Sequence, residues 1–263
     1  MFESTLPVDT AELMRVSAFR RFLDESQQSD PELTAHPTTL NTRLSSLNPS
    51  LLEDLLRFDH PDRPGARLEP LEVLAAALRH GRRLRLHLKH EDRVIPVTVF
   101  PQERLVHCPL ALPLLLAMQL AEMEVLHVQP APIGAPGDSG AAVPMTPEQA
   151  AYYSALSPLM WELALRGSRE ALLPEIGGNA AYRIAPGSDL TGLMLTGTIA
   201  DAVTRLQRET TNLRELANWP GFDKGRAMRL LNALYLQAAL MISRTHPAAT
   251  NEGWTSAAPP RPN

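Results

Sequence analysis

Residues 223–240, DKGRAMRLLNALYLQAAL, constrain this chain more than any other stretch. Projected as a helix at about 100° per residue, Arg226, Arg229, Asn232 and Gln237 fall on one polar stripe. Ala227, Met228, Leu230, Leu231, Leu234 and Tyr235 are among the residues that occupy the rest of the circumference. A helix apolar on almost every side belongs inside protein, because no solvated face remains to hold it at a surface. Upstream, residues 196–222 read as a helix and a short helix, with Asn212–Ala217 as the latter; a short strand follows the long helix. That order suits a small helix-turn-helix or winged-helix-like module.

The same stretch raises a nucleic-acid reading. Segment 196–246 carries seven basic and four acidic side chains. Lys224, Arg226 and Arg229 would be the phosphate-binding cations of a recognition helix. Only the first two turns of that helix can face a phosphate backbone, so the packed module is favoured over the DNA reader. The whole chain is formally −4, which gives no general attraction to polyanions.

A second signal sits at Arg83-Leu84-Arg85-Leu86-His87-Leu88-Lys89. Strict alternation predicts a half-buried strand with Leu84, Leu86 and Leu88 inward. Arg83, Arg85 and Lys89 then share the outer face and are candidates for binding an anion or an acidic partner, including a nucleotide phosphate. A solvated charged face guarding the sheet is the commoner use of such residues, and is favoured. His90-Glu91-Asp92 reads as a hairpin loop, and Arg93–Phe100 as the return strand, with Pro96 pushing it toward an edge. Arg104–Cys108 reads as a third strand, 113–121 as a Leu-rich helix, and 124–128 as a strand that rejoins the sheet. A helix over 69–79 ends before Gly81.

Toward the N-terminus, residues 8–27 read as a helix capped by Asp9 or Thr10, and residues 49–58 as a second helix opened by Pro49. Breakers at 60–67 and a change from net negative to slightly positive charge place a boundary near residue 65. The Pro-, Gly- and Ala-rich run 129–146 reads as a linker. Thr146 caps a helix that runs to about Leu165, kinked or split at Pro158. The predicted organisation is α+β: a helical N-terminal region (1–65), a small mixed α+β sheet unit (66–128), the linker, a helical winged-helix-like module (147–248) and a disordered tail (249–263).

Residues 71–110, LEVLAAALRHGRRLRLHLKHEDRVIPVTVFPQERLVHCPL, resemble the PatA-type N-terminal domain of bacterial signalling regulators. The RLVHC run (104–108) looks like that family's third strand, while Pro101-Gln102-Glu103 stands where the family has a glycine. The resemblance implies a non-catalytic regulatory module and brings no active site with it.

Other chemistries have weak support. His87, His90, His107, Cys108 and His127 fall in one unit without the paired spacing that zinc requires, so no metal site is assigned. The single cysteine, Cys108, follows an apolar strand and reads as a small core residue rather than a nucleophile; its solitude also fits a reducing compartment. No catalytic or cofactor motif is recognised. No secretory signal opens the chain, and the longest apolar run, 110–121, is too short to span a bilayer, so no membrane insertion and a cytoplasmic location are expected. The expected role is a non-enzymatic cytoplasmic regulatory adaptor that binds protein partners. A DNA-binding regulator and a nucleotide binder or enzyme using residues 83–89 are the alternatives.

Overall fold

The computed structural model describes residues 13–28, 68–131, 133–136 and 146–250. The helix expected over 49–58, the breaker at 60–67, most of the linker and residues 251–263 lie outside them. The protein is α+β, with two antiparallel sheets, and its compact units divide between Leu156 and Ser157.

In the first unit, α1 (Val16–Gln28) precedes α2 (Pro70–His80), β1 (Leu84–His90), β2 (Arg93–Phe100), β3 (Leu105–His107), α3 (Leu112–Ala117), a single 3-10 turn (Leu120–Glu122), β4 (Glu124–Pro130), α4 (Pro147–Ala150) and β5 (Tyr153–Ala155). Proline opens α2, where a missing N–H costs nothing. Gly81 closes it in the left-handed region (φ 59°), donating its N–H to Ala77 and Leu78 carbonyls. The five strands run in the order β4-β1-β2-β3-β5. Leu84, Leu86 and Leu88 are buried, as their alternation predicts.

Several details depart from the sequence reading. The hairpin turn is two residues, Glu91 and Asp92, because His90 still pairs with Arg93. Residues 13–15 are extended rather than helical. The Val94 N–H donates to Met14 O (2.9 Å) and the Val16 N–H to Asp92 O (3.0 Å), so this segment covers the part of β2 that β3 leaves open. Strand β2 is therefore central, not at an edge. Pro96 is tolerated because β3 pairs only with Thr98–Phe100. By strand parity the Pro96 nitrogen faces away from β1, as Val94 does, into the gap between the two coverings. In β4, Val125 and Val128 are both buried although three residues apart; a bulge at Leu126 allows it and turns Leu126 toward Val16 and Phe19.

The helix expected from 146 to 165 is two helices with a strand between them. Thr146 and Gln149 form a reciprocal capping box for α4 (N–H to Gln149 Oε1, 3.0 Å; N–H to Thr146 Oγ1, 3.3 Å). Tyr153–Ala155 then adds to β3 as the fifth strand. The segment expected as one module from residue 147 thus gives its opening, through Leu156, to the first unit.

Helix α5 (Leu156–Arg166) carries Pro158 in its first turn, where no helical N–H is missed, so the proline starts the helix rather than kinking it. The second unit continues with a 3-10 turn (Pro174–Ile176), β6 (Ala181–Ile184), α6 (Gly197–Arg208), β7 (Thr211–Asn212), α7 (Leu213–Ala217), α8 (Lys224–Leu236) and β8 (Leu240–Ser243). Its sheet order is β7-β6-β8, antiparallel throughout. Asn212 caps α7 by accepting the Glu215 N–H (2.8 Å), and Asp223 caps α8 by accepting the Arg226 N–H (2.7 Å).

Helix α8 stops at Leu236 instead of 240. Ala238 takes φ 55°, its N–H reaches Tyr235 O, and the Ala239 N–H returns to Leu234 O. This is a left-handed helix stop made without glycine, so nothing in the residue types announces it. Ala238 is exposed and pays the Cβ penalty of that conformation. Ala238→Gly is therefore expected to raise stability by about 1 kcal/mol, read as a higher urea midpoint at unchanged slope.

Candidate functional site

Two surfaces hold the residues singled out by the sequence. The first is the outer face of the five-stranded sheet. Strand register aligns Gln129, Arg85, Thr98, His107 and Tyr153 in one row across all five strands. The neighbouring row, on the opposite face, is Pro130, Leu84, Val99, Val106 and Ser154. A polar row through the middle of a sheet is unusual, because central positions are ordinarily the most desolvated.

The three predicted cations of this face are not equivalent. The Arg83 guanidinium pairs with the Glu103 carboxylate and lies over the Phe100 ring. Lys89 Nζ stands 3.9 Å from Glu124 Oε2. Arg85 has no carboxylate partner among the described residues; its Nε donates to Thr98 Oγ1 at 3.2 Å. Burial lowers the Arg85 pKa from its ordinary value. The structure therefore separates Arg85 from Arg83 and Lys89, whose charges are answered within the chain.

The two histidines beside Arg85 are held neutral. Burial, then the nearby His127 and Arg85, pushes the His87 pKa down to about 4. Its ring packs on Phe19, with centroids 4.6 Å apart, and lies 5.7 Å from the His127 ring. Burial, and then Arg85, also lowers the His107 pKa; the His107 ring meets Tyr153 edge-on at 4.8 Å. The described residues contain no group of three or more His, Cys, Asp or Glu placed to hold a metal. Cys108 is buried, and desolvation raises its thiol to about 11, which suits a core residue and not a nucleophile.

Alongside the polar row lies a pocket of about 360 Å³. Met14, Phe19, Phe22 and Pro109 wall it, and Arg85 and His87 stand on its sheet side. Sequence reasoning missed Thr98, Tyr153 and the apolar walls, since only strand register and the docking of α1 bring them to Arg85.

The second surface is α8. Its buried residues include Ala227, Leu230, Leu231, Ala233, Leu234 and Leu236, in line with the apolar projection. Two members of the expected polar stripe are structural. Asn232 is fully buried: its Oδ1 accepts the Leu173 N–H (2.9 Å), and its Nδ2 donates to Ala171 O (2.9 Å). Gln237 Nε2 donates to Ser157 O (2.9 Å). Arg229 turns to the same loop, with Nε 3.5 Å from Arg169 O and Nη2 3.6 Å from Glu170 Oε1. Arg226 Nη1 donates to Gly221 O (2.8 Å), and its guanidinium lies over the Phe222 ring. Lys224, in the first turn, is exposed. The cleft beside this helix, about 520 Å³, places Glu162, Glu170 and Asp223 among Arg166, Arg226 and Arg229. Equal numbers of both signs leave no positive groove for a phosphate backbone.

Comparison of the chain with protein-family models, curated proteins and solved structures finds no match. The reading of these sites therefore rests on their geometry.

Two outcomes follow from that geometry. Asn232→Ala is expected to cost about 1–3 kcal/mol in a denaturant titration, because it leaves the buried Leu173 N–H without its acceptor. For His87, the folded pKa lies below the unfolded value of 6.5. The unfolded chain then binds the extra proton between pH 6.5 and about 4, so the stabilising term is present above pH 6.5 and is lost as pH falls toward 4. His87→Phe should flatten the wild-type decline in urea midpoint across that window; an identical decline in both proteins would show that His87 is not its source.

Proposed function

We propose that this chain is a non-enzymatic regulatory adaptor of a bacterial signalling or surface-motility system, acting in the cytoplasm through protein–protein contacts. Described helices include none long and apolar enough to cross a membrane. The signalling context comes from the resemblance of residues 71–110 to the PatA-type N-terminal domain. The observation that carries the contact reading is the internal commitment of α8. Its apolar circumference is covered, and Arg226, Arg229, Asn232 and Gln237 are engaged by the chain's own loops and helix ends.

In this reading the second unit is winged-helix-like. The succession α6, β7, α7, α8, β8, with β6 filling the sheet between β7 and β8, supports that assignment. Such a module need not read bases. A helix-turn-helix that does must offer polar groups to base edges and cations to phosphates. Here Lys224 and Arg226 occupy the exposed first turn, and the turns beyond it are largely buried. Contact with another protein has a better foothold at Met194, which is 72% exposed and borders the mixed-charge cleft. A flexible, polarisable side chain ringed by paired charges suits a partner surface.

Two measurements with the full chain test this. Fluorescence anisotropy with a mixed-sequence DNA duplex at about 50 mM salt should show no binding at micromolar protein. Binding that weakens steeply with added salt would transfer the assignment to a DNA-binding regulator using Lys224 and Arg226. In affinity capture from bacterial lysate, Met194→Asp should lose the proteins that the wild-type chain retains while keeping its thermal midpoint. Equal retention by both would remove the cleft from the interface.

A further inference from the structure

We infer that the pocket between α1 and the outer sheet face binds a small organic carboxylate with an apolar body, such as a medium-chain fatty acid, with Arg85 as its anchor. The starting point is an imbalance of charge. Of the three cations on this face, Arg83 faces Glu103 and Lys89 faces Glu124, but among the described residues Arg85 meets only the neutral Thr98 hydroxyl. A guanidinium partly shielded from water beside apolar walls gains from an anion that answers it.

The geometry leaves room for one. Thr98 holds Nε, so the two terminal nitrogens of Arg85 remain for a ligand, and together they match the forked oxygens of a carboxylate. No Asp or Glu lines the pocket among the described residues. The walls set the other half of the ligand: Met14, Phe19, Phe22 and Pro109 present hydrocarbon, and Met14 and Phe22 remain 50% and 56% exposed at the rim. A volume of about 360 Å³ lies at the lower end of the range for small-molecule sites, which are mostly apolar with a few fixed polar groups.

Charge count selects the headgroup. His87, on the same floor, is held neutral by burial, by His127 and by Arg85 itself, so the described residues of the pocket offer a single positive charge. One charge balances a carboxylate. A phosphate dianion would leave a second negative charge against apolar walls, so a nucleotide phosphate is a poorer fit than a fatty acid.

Isothermal titration of the full chain with octanoate, 1-octanol and octylamine tests the site. Octanoate should bind saturably and about tenfold more tightly than octanol, and octylamine should not compete with it. Arg85→Met keeps the length of the apolar stem and removes the charge. It should erase the preference for octanoate while leaving octanol binding as it was, a split that a merely structural role for Arg85 would not produce. Phe22→Ala, at the exposed rim, should weaken both ligands by about fivefold. No saturable octanoate binding, equal affinity for octanoate and octanol, or wild-type octanoate binding by Arg85→Met would each overturn the assignment. Should Arg85→Met fail to fold, the wild-type ligand comparison and Phe22→Ala still decide.

Discussion

Beyond its first turn, α8 is largely closed to water, and the second unit is arranged around that requirement. A helix with an apolar girth must be enclosed, and enclosure creates a second demand: backbone groups buried where a loop meets it must be satisfied without solvent. Asn232 meets that demand. It sits among leucines and alanines, yet its amide serves one carbonyl and one N–H of the loop at Ala171–Leu173. Arg229 and Gln237 do related work at Arg169 and Ser157. The polar residues of the helix are thus the means by which its surroundings are held closed. Each group spent on a backbone atom is one fewer available to a nucleic acid.

The first unit solves a different problem. Its sheet has an apolar face, with Leu84, Leu86 and Leu88, and an outer face that mixes charge with hydrocarbon. The segment at residues 13–15 and α1 cover part of that outer face, so Phe19 lies on His87 and the Val94 N–H finds Met14. That covering changes the chemistry of what lies beneath. Burial lowers the pKa of His87 and His107, and Arg85 loses part of its hydration without gaining a counter-ion among the described residues. Arg83, one same-face step before Arg85, and Lys89, two steps after it, keep acidic neighbours. Position relative to α1, rather than residue type, distinguishes the three.

The elements legible in the sequence were those written in a single periodicity. β1 follows from alternation, α2 from its leucine and alanine spacing between Pro70 and Gly81, and the burial of α8 from its projection. What could not be read depends on partners distant in sequence. Asn232 and Gln237 look like solvent-facing residues on a helical wheel, and only the loop they bond reveals them as interior. Tyr153–Ala155 is three residues long inside a plausible helix; β3 makes it a strand. Ala238 ends α8 in a conformation that glycine would have signalled. The polar row across the sheet was half accessible, since a two-residue turn at Glu91-Asp92 sets Arg85 opposite Thr98. Counting His90 into the loop loses that register, and neither His107 nor Tyr153 follows from the hairpin alone.

These contrasts explain why the basic residues of the two units carry different weight. A cation is evidence of a partner only when the fold has not already used it. On α8 the fold has used Arg226 and Arg229, one on a carbonyl and an aromatic ring, the other on a carbonyl and a carboxylate. The net positive count of that segment therefore overstates the field available to a polyanion. On β1 the same test leaves Arg85, fixed by one hydroxyl and facing an apolar pocket. Solvated surface arginines need no explanation, because water screens them cheaply. A partly buried one in the polar row of a sheet does, and the described groups around it supply hydrocarbon and neutral rings rather than negative charge.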